Sequence, residues 1–201
     1  MVKTYIKLLF IVLLSGIMCG CIGGTSQKSV YYIFSASQKL TPVQSISADQ
    51  GVGVGPIEIP EYLKRPQIVT REGENLLNIN EFHRWGDSLE TQIKDVLIEN
   101  LSSLLNTPNV GAYPWKSSFT PKYQLYIDFR RFDGKTSESV ILDAVWWISG
   151  TNDDKQLLAK RSTLIESTEG EGYKPYVAAM NKALKKLSQE IAVGILEILP
   201  K

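Results

Sequence analysis

The stretch GVGVGP at positions 51–56 sets Gly51, Gly53 and Gly55 at spacing two. Glycine is the residue type that lets a backbone close on phosphate oxygens. That chemistry needs the glycines at a strand-to-helix turn, with a helix N-terminus facing the anion. Here Pro56 follows at once, Ile57 and Ile59 continue a period-two pattern, and Pro60 ends it. No helix opens there, and the Gly-Lys-Ser/Thr of a nucleotide loop is absent. The glycines are read instead as strand glycines that mark a bulge or a close backbone approach. His83 is the single histidine of the 201 residues, which excludes a histidine-rich metal site and any mechanism using two histidines. No Gly-x-Ser-x-Gly motif supplies a nucleophile. Asp128, Asp133, Asp143, Asp153 and Asp154 are scattered over expected strands and turns without EF-hand spacing. The expectation is no catalytic residue, no cofactor and no metal, with His83 in a structural role.

The cysteines carry a clearer chemistry. Lys3 and Lys7 precede an apolar run from Leu8 to Leu14 and then small residues, the order of a secretory signal. The run is short of the roughly 20 residues a transmembrane helix needs. Met18-Cys19-Gly20-Cys21 resembles a bacterial lipobox. A small residue directly precedes the lipidated cysteine in such sites, and Gly20 meets this for Cys21 where Met18 does not for Cys19. The competing reading is a secreted protein whose two cysteines pair or stay free; a C-x-C bridge is strained by disulfide geometry. Lipidation at Cys21 leaves no cysteine for a disulfide, so the domain holds together by its core or by oligomerising. Loss of Lys3 and Lys7 turns the formal charge of +1 into −1, which points at no nucleic acid. Several acyl chains exceed the two signals needed for stable anchoring. Ile22, rather than Asp, after the cysteine favours the outer membrane by the usual sorting rule.

The elements that position these residues follow from periodicity. Residues 1–20 are the signal, 21–30 a small and polar tether, and 31–201 one domain. Strands are expected at Tyr31–Phe34, 51–59, Gln67–Arg71 and Leu76–Ile79, the last two as a hairpin, with residues 61–66 an irregular link between prolines. Leu89, Ile93, Val96, Leu97, Leu101 and Leu104 recur at three and four, giving an amphipathic helix over about 88–105 capped by Asp87 with Glu90. A short strand over Val110–Trp115 precedes a three-stranded meander, with Asp133-Gly134 in its first turn. A second amphipathic helix spans about 175–199. The fold class is α+β, an antiparallel sheet with two amphipathic helices packed on one face. Adjacent Trp146 and Trp147 face opposite sides of their strand, so one lies under the helices and the other needs another cover, a hint of a partner or an oligomer.

GVGVGPIEIPEYLKRPQIVTR, EFHRWGDSLETQIKDVLIENLSSLL and VGAYPW resemble the PqiC/YmbA family of lipoproteins that accompany MCE-type and ABC-type transport systems. Pro56, Pro60, Tyr62, Leu63, Arg65, Pro66, Gln67, Ile68, Val69 and Arg71 stand in the family pattern, as do Phe82, Arg84, Trp85 and Leu89. Lys64, Gly86 and Ser88 depart from it. The resemblance implies a non-enzymatic, lipid-anchored protein on the periplasmic face of the outer membrane. Its implied partner is an inner-membrane-anchored MCE-domain protein whose periplasmic tube conducts lipids, docked by a homo-oligomer of ring form. Tyr62, Leu63, Arg65, Pro66, Arg84 and Trp85 then form either a structural corner or a partner contact, with Arg84 and Trp85 packing on the turn by cation–π or stacking. Two other classes stay open, an envelope-modifying periplasmic hydrolase and an outer-membrane assembly lipoprotein.

Overall fold

A computed structural model describes residues 26–36, 40–47, 49–153 and 155–200. The expected signal segment and Cys21 lie outside the described residues. Among the described residues the strands are β1 (Val30–Tyr32), β2 (Val52–Glu58), β3 (Gln67–Arg71), β4 (Leu77–Trp85), β5 (Val110–Ala112), β6 (Tyr123–Gly134), β7 (Ser139–Gly150) and β8 (Gln156–Ser167). The helices are α1 (Leu89–Leu104) and α2 (Tyr173–Ile198), and a 3-10 turn spans Glu61–Leu63. The class is α+β, as the sequence indicates.

The meander β6-β7-β8 is antiparallel, with Ile127 opposite Trp146 and Trp146 opposite Lys160. Its alternation is clean because one face is covered and the other is not. Leu125, Ile127, Phe129, Leu142, Ala144, Trp146 and Ile148 point inward and are buried. α2 packs over β7 and β8, α1 over β2 and β5, and the helices pack on each other. The indole of Trp146 sits under Gly194 of α2 and donates to Ser162 Oγ at 2.9 Å.

The sheet is not wholly antiparallel. β2 pairs parallel with both β5 and β6, completing the order β5-β2-β6-β7-β8. β1, β4 and β3 form a second, three-stranded sheet in which β1 runs parallel to β4. The parallel pairs arise because α1 carries the chain from β4 back to β5 on the far side of β2, a crossover that local periodicity does not reveal. The Gln67–Arg71 and Leu77–Trp85 strands do form the expected hairpin, but β4 runs on through His83, Arg84 and Trp85.

Several boundaries move for local reasons. Ser88, not Asp87, caps α1; its Oγ accepts from the Thr91 N–H at 3.1 Å, while Asp87 accepts from the Ser88 N–H. Hydroxyl and carboxylate caps are near-equivalent, and here the geometry selects the residue nearer the helix. At the other end, the N–H groups of Val43 and Ile46 reach the carbonyls of Leu104 and Leu105 at 2.8 and 3.1 Å, so the 40–47 segment satisfies α1's last turn. The expected Asp133-Gly134 turn is strand. A bulge between Phe129 and Arg131 shifts the register, and the chain turns at Lys135–Glu138 instead.

Candidate functional site

The proline-flanked turn begins at Pro60, whose φ of −54° suits the 3-10 entry. The Leu63 N–H donates to the Pro60 carbonyl at 2.9 Å and the Lys64 N–H to that of Glu61 at 3.1 Å. This tight coil sends alternate side chains opposite ways. Leu63 is buried. Tyr62 turns inward and donates its hydroxyl to Asp133 Oδ2 at 2.5 Å. Arg65 and Pro66 remain at the surface.

Trp85 closes the turn from the side, its N–H donating to the Pro66 carbonyl at 2.7 Å and its ring packing on Phe34 at 5.0 Å between centroids. Ile59, Pro66, Trp85 and Leu89 floor a shallow pocket of about 480 Å³, with Lys64 and Arg65 on one rim and Gly86–Glu90 at the start of α1 on the other. Arg84 lies outside this floor and pairs loosely with Glu81 at 3.7 Å. The cation over the Tyr62 ring is Arg71, 5.9 Å from its centroid, rather than Arg84.

Beneath the turn stands a polar cluster that sequence reasoning missed. Asp133 is fully buried, and its Oδ1 accepts from Arg71 Nε at 2.6 Å and Arg131 Nε at 2.8 Å. Burial pushes the carboxyl up, but Arg71, Tyr62 and Arg131 outweigh it and hold it below the usual range. The Tyr62 hydroxyl is pushed up to about 12, by its own burial first and by Asp133 second. The Asp-Gly dipeptide hid this cluster by reading as a turn; the signal available was Arg71, the last matched residue of the first stretch of the family pattern.

His83 is engaged on two sides. Tyr32 Oη lies 2.9 Å from its Nδ1, and the Tyr173 ring stacks on it at 3.9 Å and 11°. Among the described residues no group of three His, Cys, Asp or Glu is arranged to hold a metal.

The glycines that opened the sequence have a packing role. A Cβ at Gly53 would run into the ring of Trp115, and one at Gly111 into Phe119. Gly55 holds a φ of +109° against Tyr113, at the point where the β2–β6 register shifts. The bare strand surface thus seats the aromatic segment that follows β5.

The open face of the larger sheet carries Trp147 stacked on Tyr126 at 5.0 Å and 4°. Asp143 holds Arg161 with two bonds of 2.8 and 2.7 Å, and Asp128 holds Arg130 at 2.8 Å. Both rings are half-buried, Ala159 of β8 lies opposite Trp147, and Ile165 is exposed farther along the same strand, opposite Ile141.

Comparison with known proteins adds sequence and fold. The family described as ABC-type transport auxiliary lipoprotein component matches residues 32–192. Two relatives called intermembrane transport lipoprotein PqiC, from Escherichia coli and Shigella flexneri, are each 23% identical over 178 residues, covering 89% of this chain and 91% of theirs. A crystal structure of an uncharacterized protein superposes with a TM-score of 0.70 at 20% identity, covering 84% of this chain and 99% of that one. A Xanthomonas campestris protein superposes at 0.69 with 16% identity, covering 82% and 93%. At these identities the two structures speak for the fold.

Proposed function

We propose a function from one premise: the chain belongs to the family of ABC-type transport auxiliary lipoprotein components. It is an auxiliary component of an envelope transport system that works with partner proteins. The finer reading is a non-enzymatic lipoprotein, anchored through Cys21 at the periplasmic face of the outer membrane. There it docks the far end of an inner-membrane-anchored MCE tube, as a homo-oligomer, and so supports lipid transport and membrane integrity. The observation that carries this reading is the reach of the family match, residues 32–192, over nearly the whole described domain. The name of the relatives, intermembrane transport lipoprotein, supports the bridging role.

The geometry is in keeping with it. Tyr62, Leu63 and Trp85 serve the core, while Arg65 and Pro66 offer the surface of a rigid corner. His83 is taken up by two tyrosines. The test is crosslinking in the envelope, with a photoreactive residue at Lys64 and separately at Trp147. An adduct with an MCE-domain protein is expected from at least one position. Adducts with neither that protein nor a second copy, in cells that make both, would sink the docking reading and return the hydrolase and assembly-factor readings.

A further inference from the structure

The short strand β1 enters the domain with its outer side bare. Tyr31 and Ile33 are 65% and 66% exposed and Val30 is 46% exposed. Among the described strands β1 is an edge strand, paired only with β4 in the order β1-β4-β3. Tyr31 and Ile33, two residues apart, share the outward side. The residues between and after them are fixed inward: Tyr32 reaches His83, and Phe34 is buried against Trp85 with its N–H donating to Gln92 Oε1 at 2.8 Å. The apolar side chains are therefore presented by a held backbone. An exposed apolar edge is an aggregation liability unless something covers it.

The chain itself indicates the cover. Cys21 lies nine residues before Val30, and nine residues span at most about 32 Å. With acyl chains on Cys21, β1 can never stand farther than that from a bilayer surface. A tyrosine suits the headgroup level, where its ring is in apolar contact and its hydroxyl is wet. Nearby charges are mixed in sign, Arg84 beside Glu81, so apolar area carries the contact. We infer that Tyr31 and Ile33 rest in the lipid–water interface and fix the orientation of the domain on the membrane that holds its anchor. This inference depends on the Cys21 anchor of the reading above. Acyl chains alone hold the protein at the surface but leave it free to tilt; a second contact removes that freedom.

The test uses the full lipidated protein in vesicles of phosphatidylethanolamine with a minority of phosphatidylglycerol. Once the signal is removed and Cys21 is acylated, a cysteine introduced as Ile33→Cys is the single reactive thiol. It is labelled with an environment-sensitive fluorophore, and Ala159→Cys on exposed β8 gives the comparison. Brominated lipids are expected to quench the label at 33 several-fold more than that at 159, independent of protein density in the vesicle. Equal quenching at both positions in a lipidated protein overturns the contact alone. Shielding at 33 that grows with protein density assigns the patch to a second copy and also overturns it. Intact mass showing an unacylated Cys21 overturns the anchor, and the contact with it.

Discussion

At the scale of single residues, Asp133 decides the most. A fully buried carboxylate is tolerated because Arg71, Arg131 and Tyr62 together satisfy it. Replacing Asp133 with Ala is expected to cost about 2–3 kcal/mol in urea unfolding. That is below the full cost of orphaning a buried charge, because both arginines keep contact with water. The pH dependence follows from the directions of the shifts. The folded carboxyl titrates below its ordinary 3.8, so its stabilisation is present above that value and fades as pH falls through the lower one. Tyr62 works at the opposite end. Its folded value of about 12 lies above the ordinary 10.0, so its contribution is whole below pH 10 and is lost as pH climbs toward 12. Tyr62→Phe is expected to cost about 1–2 kcal/mol at neutral pH and to flatten part of the alkaline loss. Unfolding curves for both variants across pH check this, and curves that parallel the unsubstituted protein at both extremes would refute the coupling. None of this was legible from Asp133 itself, since Asp-Gly carries the composition of a turn and only the bulge before it shifts the strand's end to Gly134.

At the scale of elements, what was legible is what is local. The leucine and isoleucine spacing of α1 and the alternation of β6 and β7 follow directly from which face is covered. The parallel placement of β2 between β5 and β6 was not, because pairing partners far apart in sequence leave no periodic trace. The cap of α1 was ambiguous by one residue, Asp87 and Ser88 being equally suited by type. For α2 a glycine decides the packing. Gly194 lies over the buried Trp146, and an added Cβ would stand 2.6 Å from Cη2 of that ring and 2.9 Å from Leu158 Cδ2. Alanine returns up to about 1 kcal/mol of helix propensity. The indole is held by Ser162, however, and has no room to yield, so overpacking of about 1–3 kcal/mol outweighs that gain. Gly194→Ala is expected to lower the melting temperature, and a rise would show that the helix rides away from the sheet at little cost.

At the scale of the whole molecule, the domain is covered on one side and open on the other. Helices shelter Trp146, while its neighbour Trp147 faces outward with Tyr126 among the ion pairs Asp128–Arg130 and Asp143–Arg161. The sequence required that one of the adjacent tryptophans find a cover outside the helices, and Trp147 stands half-buried against Tyr126 on that outer face. A flat aromatic pair flanked by paired charges suits a protein surface better than a hydrocarbon one. Aromatic anchors are enriched at interfaces, and the ion pairs there need not be broken to be covered. The membrane contact at β1 and a protein contact at Trp147 then occupy different strands of different sheets, so each is testable with the other intact. Trp147→Glu leaves the core untouched, and its melting temperature is expected to stay within a few degrees of the unsubstituted protein. If copies of the chain or the transport partner cover this face, the same variant sediments as a smaller species or loses its envelope crosslinks. A variant that folds, sediments and crosslinks unchanged would mean that the Tyr126–Trp147 stack is a solvated ornament of the sheet, leaving the proline-flanked corner at Arg65 and Pro66 as the surface for the partner.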